Sequence, residues 1–472
     1  MFVSLKNDTS NDYLYQKIYK QLKENILQNK VKSNEKLPSK RQLAKQLNIS
    51  VNSVTNAYEQ LLAEGYIYTL ERKGYYVEDI GLFDASKLSK DMHFPIDLKE
   101  NNSKSKNFLS LSHMTVDITE FPFNEWIKCQ QKAIKNHKKE FSEIPHPQGP
   151  FLIRESISKL ISASRGVVCE PEQIVIDSST QSLIRTLMQT QHKNTIFTME
   201  NPGYRRIFNL LKNINIDVKT VFLDDKGINL DKINPDTNFL FVTPSHQFPT
   251  GKIMPISRRI ELLNWSTKQA NRYIIEDDYD SEFKYETDNI PSLQSLDKNQ
   301  RVIYTGTFSK IMIPGLRISY MVLPPDLLRN YKKHNHHLIL NSNLLTLYTL
   351  YYFIEDGGLL KHLKKMNHIY EQKRKKIIKE IKNKFRDNVE IKNIPAGLHF
   401  LAYFKSKLTY EEFDERIKKE ELEVYSIKRF TLSKHNKEED IIQLVIGFAK
   451  IDVNLIPEAI ERLYRALNTA NN

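Results

Sequence analysis

The sequence predicts a multi-domain protein in which a small N-terminal α+β domain is joined by a polar segment to a much larger α/β domain. The chain has 472 residues, more than one hydrophobic core usually serves. Residues 14–77 show helical periodicity followed by two short β-rich segments. After about residue 108, β-rich and helical segments alternate instead, which is typical of a mostly parallel sheet with both faces covered.

The N-terminal segment predicts three helices and a β-hairpin. Ser39 and Ser50 can cap the second and third helices, and Gly65 can end the third. The segment YIYTLERKGYYVED then has two β-rich halves around the turn ERKG. The apolar stripe of the first helix follows four-residue steps, at Leu14, Ile18, Leu22 and Ile26.

This order of elements is that of a winged helix-turn-helix, which places the second of its paired helices in the major groove of double-stranded DNA. Short polar side chains early in that helix can reach base edges, and cations at the wing tip can meet backbone phosphates. The predicted DNA-binding residues are Lys40, Arg41, Asn52, Ser53, Thr55, Arg72 and Lys73.

Composition supports this interpretation only in part. The formal net charge is +13 and the isoelectric point is about 9.2, which suits a partner that carries phosphates or reflects a lysine-rich composition. Residues 1–77 hold twelve Lys and Arg against seven Asp and Glu. Two cysteines exclude a disulfide framework and a cysteine-rich metal site. The apolar stretches are too short or too interrupted to span a membrane, so a cytoplasmic protein is expected.

Domain boundaries follow from the change of pattern. We predict a DNA-binding domain over 1–78, a linker over 79–108, where periodicity is lost, and a large domain over 109–472. Long helices are expected after about residue 330, followed by a smaller α+β portion.

Two β-rich segments of the large domain end in residue types that hold pyridoxal phosphate. RVIYTGTFSKIMIPGLRISYMVL carries Lys310, which can form a Schiff base with the cofactor aldehyde. RYIIEDDYDSEF supplies Asp277 for the pyridine nitrogen and Tyr279 for the ring oxygen. The predicted phosphate ligands in the first segment are Thr307, Ser309 and Arg317.

A second phosphate contact is expected where a strand passes into a helix, in EQIVIDSSTQSLIRTL. The amides of Ser179, Thr180 and Gln181 should point at an anion there. Tyr204, just after another strand, could stack on the cofactor ring. Each motif is weak alone, and their combination on consecutive predicted strand ends carries the prediction. His113 and His146 are expected to be hydrogen-bonded structural histidines.

At this point a family resemblance is evident. LPSKRQLA, SVNSVTNAYEQLLAEGY and RKGYYV resemble the winged helix of GntR-type regulators, and residues from about 109 to 467 resemble a fold-type I aminotransferase of class I. Their fusion is typical of the MocR subfamily. The segments IPHPQGP, NPGYRR, TPSHQFPTG and GTFSKIMIPGLRISYMVLPP are similar to members that sense γ-aminobutyrate (GABA).

The resemblance implies a head-to-tail homodimer that holds pyridoxal phosphate as an internal aldimine on Lys310. It also implies that Asp277, Tyr279 and Tyr204 contact the ring, as the residues alone predict. Arg429 and Arg206 match arginines that bind carboxylates of substrates or effectors. Two positions depart from the pattern. Phe248 stands where aminotransferases commonly have an asparagine before Pro-Thr-Gly, and Asn201 replaces an expected acidic residue.

Three hypotheses follow. The first is a transcription regulator that senses an amino compound, GABA above all, as an external aldimine and controls genes for GABA utilisation. The second is a working aminotransferase with an accessory DNA-binding domain, against which Phe248 counts. The third is a DNA-binding protein whose large domain only dimerises, against which the intact cofactor set counts. Related ω-amino acids, or regulation of pyridoxal phosphate synthesis by the cofactor itself, stay open as alternatives to GABA.

Overall fold

The computed structural model describes residues 12–81, 94–100, 108–285, 290–392, 396–433 and 440–468. The chain divides into two units, Met1–Ser103 and Lys104–Asn472, each with its own hydrophobic core. Of the predicted linker, residues 82–93 and 101–107 lie outside the described part of the chain.

The first unit has the predicted order of three helices and a hairpin. Its elements are α1 (Leu14–Leu27), α2 (Lys40–Leu47), α3 (Val51–Ala63), β1 (Ile67–Leu70) and β2 (Gly74–Val77). Both predicted caps form: Ser39 Oγ accepts the Gln42 N–H at 3.2 Å, and Ser50 Oγ accepts the Ser53 N–H at 3.2 Å. These bonds satisfy amides that the first helical turn leaves free.

The core of the first unit forms between α1, α2, α3 and the hairpin. Ile18, Leu22 and Ile26 are buried as the periodicity predicts. Leu14 is not, because it is the first residue of α1 and its side chain remains 38% exposed. The buried stripe therefore starts one turn later than expected. Strands β1 and β2 pair antiparallel, and Arg72 takes the left-handed conformation (φ 58°) in the turn between them.

The second unit begins with a short strand and a helical segment that lead into a large sheet. Its first part comprises β3 (Leu109–Ser110), α4 (Phe123–Asn136), α5 (Phe151–Arg165), β4 (Ile174–Asp177), α6 (Thr180–Gln189), β5 (Ile196–Asn201), α7 (Arg205–Asn213), β6 (Asp217–Asp224), β7 (Gly227–Ile228), β8 (Phe239–Val242), α8 (Ile256–Thr267), β9 (Tyr273–Asp278), β10 (Val302–Thr307), α9 (Phe308–Ile311) and β11 (Ser319–Val322).

Long helices and a smaller sheet follow, as predicted. This part comprises α10 (Pro325–Asn335), α11 (Leu344–Glu355), α12 (Gly358–Phe385), β12 (Val389–Ile391), β13 (His399–Lys405), α13 (Tyr410–Lys419), β14 (Leu422–Glu423), β15 (Tyr425–Ser426), β16 (Ile441–Gly447) and α14 (Ile456–Leu467). Within the described ranges, no helix combines the length and the apolar character needed to cross a membrane.

The large sheet has the strand order β4-β11-β10-β9-β8-β5-β6-β7. Its central strands β10, β9, β8, β5 and β6 run parallel, while β11, β4 and β7 pair antiparallel with their neighbours. Alternate residues of β4 enter different core clusters, Ile174 and Ile176 one and Val175 the other. Both faces are therefore buried, which confirms the predicted covered, mostly parallel sheet.

The smaller sheet has the order β12-β13-β16-β15 and is antiparallel throughout. Strand β13, one of its two seven-residue strands, starts at His399, two residues after a glycine at residue 397 whose amide donates to the Phe283 carbonyl at 2.9 Å. This bond brings the start of the smaller sheet beside the segment that follows β9. That segment belongs to the site described next.

Candidate functional site

A cavity of about 290 Å³ lies at the ends of the central strands of the large sheet. Parallel strands present their carboxyl ends at one edge, where ligands bind in open α/β sheets. All ten residues predicted to hold the cofactor line this cavity: Ser179, Thr180, Gln181, Tyr204, Asp277, Tyr279, Thr307, Ser309, Lys310 and Arg317. Their sequence separation reaches 138 residues, and only the fold brings them together.

One end of the cavity is suited to an anion. Helix α6 begins there, with Ser179 as its N-cap. Ser309 Oγ, which lines the same cavity, is buried without a hydrogen-bond partner among the described residues, and Arg317 adds a cation. An unpaired buried hydroxyl is costly unless a ligand satisfies it. A phosphate fits this end because it can accept from the hydroxyl, the guanidinium and the helix amides.

A lone carboxylate lies on the floor of the cavity. Asp277 ends strand β9, and its Oδ1 accepts the hydroxyl of Thr305, the residue opposite it on β10, at 2.8 Å. Burial raises the pKa of Asp277 to about 7, although the Thr305 bond lowers it. Asp278 and Asp280 raise it further, and no cation among the described residues offsets these effects. A protonated pyridine nitrogen would supply that cation, and the fit to pyridoxal phosphate is good here too.

The amine of Lys310 faces the same space from the short helix α9. Its Nζ donates to the main-chain oxygen of His113 at 2.6 Å. Burial lowers the pKa of Lys310 to about 8, and Arg206 lowers it further, while Asp280 has the opposite effect. A larger fraction of this amine is therefore neutral near pH 7 than of an exposed lysine, as a nucleophile for a carbonyl compound requires.

Aromatic rings form the side wall. Tyr204 and Tyr279 each meet Phe248 edge to face, with ring centroids 5.4 and 5.9 Å apart. Phe248 is only 5% exposed and lines the cavity. The ring that departs from the aminotransferase pattern therefore lies at the site itself, where it offers no hydrogen bond to a cofactor oxygen. The other departure, Asn201, donates to Ser433 Oγ at 2.7 Å outside the lining.

The two predicted carboxylate-binding arginines lie differently. Arg206, on helix α7, lines the cavity, and its Nη2 is 3.6 Å from the sulfur of Met114. Arg429 is outside the lining, on an exposed turn where its guanidinium lies 4.0 Å from the centroid of the Tyr425 ring. The structure thus brings Arg206, but not Arg429, into the group of cavity residues.

The prediction for His113 needs correction. Its imidazole is buried in the cavity wall, and Nδ1 has no hydrogen-bond partner among the described residues. Burial lowers the pKa of His113 well below its usual range, and the nearby cations add to this effect. His146 behaves as expected, since its Nδ1 accepts the Gln148 N–H at 3.2 Å.

Sequence patterns missed three buried residues beside Tyr279. His246 Nδ1 is 3.1 Å from both carboxylate oxygens of Asp280, and His399 lies next to His246 with ring centroids 4.6 Å apart. A histidine and an aspartate in the quoted TPSHQFPTG and EDDYDSEF segments were the available signal. This is the group with metal-compatible spacing in the described ranges, but the Asp280 oxygens already accept from His246 and from the Leu398 N–H.

The predicted DNA-binding residues all lie on the first unit, and they differ in their exposure and in the contacts they already make. Arg41, Asn52, Arg72 and Lys73 are exposed. Ser53 and Thr55 are half-buried, and Ser53 Oγ is 2.9 Å from the hydroxyl of Ser50. Lys40 is 3.6 Å from a Glu59 oxygen and lies over the Tyr75 ring, so it already has partners within the unit.

Comparison with protein families identifies both parts of the chain. Residues 14–77 match the family described as bacterial regulatory proteins, gntR family. Residues 108–463 match the family described as aminotransferase class I and II. The matched class and the fit of the buried groups identify the cofactor of the second unit as pyridoxal phosphate.

Three curated relatives match most of this chain over most of their own length. The uncharacterized HTH-type transcriptional regulator YdeL of Bacillus subtilis is 35% identical over 98% of each chain. The pyridoxine biosynthesis regulator PdxR of Corynebacterium glutamicum is 30% identical over 77% of each chain. The probable rhizopine catabolism regulatory protein MocR of Rhizobium meliloti is 29% identical over 79% of this chain and 78% of that protein.

Solved structures match the second unit in fold. The kynurenine aminotransferase of Pyrococcus horikoshii superposes with a TM-score of 0.68, at 21% identity, over 77% of this chain and 91% of that one. This likeness concerns the fold, whereas the YdeL match and the gntR family match cover the DNA-binding part as well. The chain therefore belongs to the MocR-like transcriptional regulators of the gntR family, which join a DNA-binding domain to an aminotransferase-like domain.

Proposed function

We propose that this regulator senses a small amino acid whose amine reacts at the cofactor and whose carboxylate binds Arg206, and that binding changes its affinity for operator DNA. The observation that carries this proposal is the cavity. It combines the buried Asp277, an amine of lowered pKa at Lys310 and a cation on one rim. When bound, pyridoxal phosphate supplies an aldehyde that forms a reversible covalent bond to a primary amine.

The chain's own residues then have separate roles. Lys310 would hold the cofactor through its amine and give way to the amine of the effector. Asp277 would keep the ring nitrogen protonated, and Ser309, Arg317 and the start of α6 would hold the phosphate. Tyr204 and Phe248, in the wall of the cavity, would lie beside the ring and exclude water. Arg206 grips the effector carboxylate with its planar guanidinium. In the first unit, Arg41, Asn52 and Arg72 contact DNA.

Sensing rather than turnover is favoured at Phe248. An asparagine at this position would donate to the ring oxygen, whereas a phenyl ring cannot. The proposed effector is GABA or a near homologue. Such a compound carries an amine for the Lys310 end of the cavity and, three methylenes away, a carboxylate for Arg206 in the same lining.

A ligand changes the activity of the regulator only if it binds one arrangement of the chain better than another.

A homodimer is part of this proposal. Helix α4 carries Phe123, Ile127 and Ile134 on one face, each 46–47% exposed, beside the face that buries Trp126. Such an apolar stripe on a helix of this size is typical of a surface that a second copy covers. Sedimentation of the wild type and of an Ile127→Glu, Ile134→Glu variant tests this: the wild type should sediment as a dimer and the variant as a monomer.

The experiment that tests the sensing function is an absorbance titration of the cofactor-loaded full chain. β-Alanine, GABA and 5-aminovalerate differ by one methylene each, and alanine serves as an α-amino acid control. We expect a change in the visible spectrum that saturates with GABA, no release of a keto product, and an altered affinity for a duplex selected from a random pool. Stoichiometric keto product would support an aminotransferase instead. A change in DNA affinity with pyridoxal phosphate alone would make the cofactor the signal.

A further inference from the structure

Behind the cavity, a hydrogen-bonded chain of side chains connects Tyr279 to the smaller sheet. The Tyr279 hydroxyl is 3.0 Å from the main-chain oxygen of His246 and 3.1 Å from its Nδ1. The same Nδ1 is 3.1 Å from both oxygens of Asp280, and Asp280 Oδ2 accepts the Leu398 N–H at 3.0 Å. His246 and Asp280 do not line the cavity.

We propose that His246 and Asp280 are a positioning pair that fixes the Tyr279 hydroxyl at the cofactor ring and joins it to the first residues of β13. The proposal rests on pyridoxal phosphate as the cofactor of this cavity and deepens the proposed function. The pair acts through Tyr279, which is the member that lines the cavity.

The direction of the hydrogen bonds follows from the groups. A carboxylate only accepts, so the His246 Nδ1 carries the hydrogen that points to Asp280. The Tyr279 hydroxyl then donates to the His246 main-chain oxygen, and its own oxygen accepts from the Nδ1–H, which it shares with Asp280. The imidazole therefore supplies one of the two contacts that hold this hydroxyl, and that contact is the one that a substitution of His246 removes. Burial raises the pKa of Tyr279 well above its usual range, and Asp280, Asp277 and Glu200 raise it further, so this hydroxyl keeps its proton.

The surroundings leave His246 no room to turn away. His246, Asp280 and His399 are each at most 2% exposed. Residue 397 is a glycine with φ 71°, and a Cβ there would lie 2.1 Å from two atoms of the His246 ring. A side chain at 397 would therefore push the imidazole out of place. The close approach fixes the ring against the segment that enters β13.

The charge of Asp280 also acts on residues of the cofactor site. It raises the pKa of the Lys310 amine, against the effect of burial. It also raises the pKa of Asp277. One buried carboxylate thus acts on the cofactor lysine, on the ring-nitrogen partner and, through His246, on the ring-oxygen partner. The Leu398 N–H ties it to the smaller sheet at the same time.

A double-mutant cycle on the full chain tests the proposal, with pyridoxal phosphate as the probe. His246→Gln keeps a neutral side chain of similar length and leaves the charge of Asp280 in place. We expect it to weaken cofactor affinity about five- to tenfold, the effect of one misplaced hydrogen bond. In a Tyr279→Phe background the same substitution should change the affinity by less than about twofold, because the hydroxyl it positions is gone.

The second readout is the pH midpoint of the visible absorption band. His246→Gln should move the midpoint in the same direction as Tyr279→Phe, because one misplaces and the other removes the hydroxyl that contacts the ring oxygen. Gly397→Ala should change the midpoint and the cofactor affinity as His246→Gln does, because its Cβ displaces the His246 ring although it lines no part of the cavity. Glu140→Gln, which removes the carboxylate of a second histidine–carboxylate pair at His137, is the matched control and should move neither quantity.

The outcomes separate the two proposals. Equal losses of affinity from His246→Gln with and without the Tyr279 hydroxyl would overturn the positioning role while leaving the cofactor in place. A wild type that develops no visible band with pyridoxal phosphate would overturn the cofactor-based function and this inference together. If His246→Gln does not fold, the double-mutant cycle is repeated with Asp280→Asn in place of His246→Gln. In Asp280→Asn the Leu398 amide should exchange its hydrogen faster than in Tyr279→Phe, because its bond to the Asp280 carboxylate is weakened.

Discussion

The surface proposed to bind DNA on the first unit and the cavity of the second use polar groups in opposite ways. Arg41, Asn52 and Arg72 are exposed to water, where salt screens the two guanidinium charges and no single contact is strong. Asp277 and Lys310 are withdrawn from water, and burial moves their pKa values to about 7 and about 8. The first surface therefore depends on the number of its contacts, and the cavity depends on each group individually.

The largest effect is expected from Lys310→Ala. Without the amine, the visible absorption band should disappear completely and no amino acid should change DNA affinity. DNA binding in the absence of effector should stay within about twofold of wild type, since Lys310 and the predicted DNA-binding residues belong to separate units, each with its own core. Absorbance and gel shifts measure the two properties. Lys284→Met, which removes another lysine whose pKa burial lowers to about 8 but which does not line the cavity, should keep the band. If folded Lys310→Ala lost DNA binding as well, the cavity and the DNA-binding surface would not have separate roles, and the prediction would be wrong.

The next largest effect is expected from Asp277→Asn, which should weaken cofactor affinity roughly a hundredfold or more by leaving a buried cation unpaired. In the cofactor-free protein we expect Asp277→Asn to be stabilising instead. The pKa of Asp277 is about 7 in the folded protein against an ordinary 3.8, so its carboxylate lowers the free energy of unfolding as pH rises from about 4 to about 7. Above pH 7 this loss of stability is constant. Thermal melts should therefore show the variant equal to wild type near pH 4 and more stable at pH 8.

A variant that melts below wild type at pH 8 would mean that Asp277 is stabilised by a cation we have not identified. Asp326→Asn removes an exposed carboxylate whose ion pair with Arg329 is also exposed. It should change neither the melting temperature nor the cofactor affinity.

Effector recognition distinguishes two arginines. Arg206→Lys keeps the charge but loses the planar fork, and should weaken GABA binding roughly ten- to a hundredfold. Arg429→Lys should have a smaller effect, because Arg429 lies on the Tyr425 ring outside the cavity lining. Absorbance titrations on both cofactor-loaded variants measure this. A larger effect at Arg429 would show that the effector extends beyond the cavity rim, and unchanged affinity in both would place the carboxylate elsewhere.

The smallest effect is expected at the wing. Arg72→Ala should weaken binding to all DNA sequences by the same few-fold factor. It should also reduce the slope of log affinity against log salt concentration by about one, because one phosphate contact is lost. Asn52→Ala should instead change the preference for one base pair. Binding to a panel of duplexes at several salt concentrations separates the two. Lys30→Ala, an exposed cation of the same unit outside the predicted surface, is the control. A changed preference with an unchanged slope in Arg72→Ala would make Arg72 a base-reading residue.

Local features could be predicted because short-range forces decide them. Ser39 and Ser50 cap their helices as expected, since a cap depends on amides only three residues away. The β-rich runs form β4, β5, β8, β9, β10 and β11. Lys310 and Asp277 face one cavity because parallel strands end at one edge of a sheet.

The sequence therefore predicts the order of the two domains, their main helices and strands and the residue types at the strand ends. Only the fold shows which polar groups are in contact. Arg429 lies off the cavity, Lys40 is paired with Glu59, and His246 reaches Asp280, each through contacts between distant segments. Such contacts depend on how the chain crosses itself, which no local spacing encodes. The lowered pKa of Lys310 is likewise a result of the tertiary fold, because desolvation depends on every neighbour that excludes water from the amine.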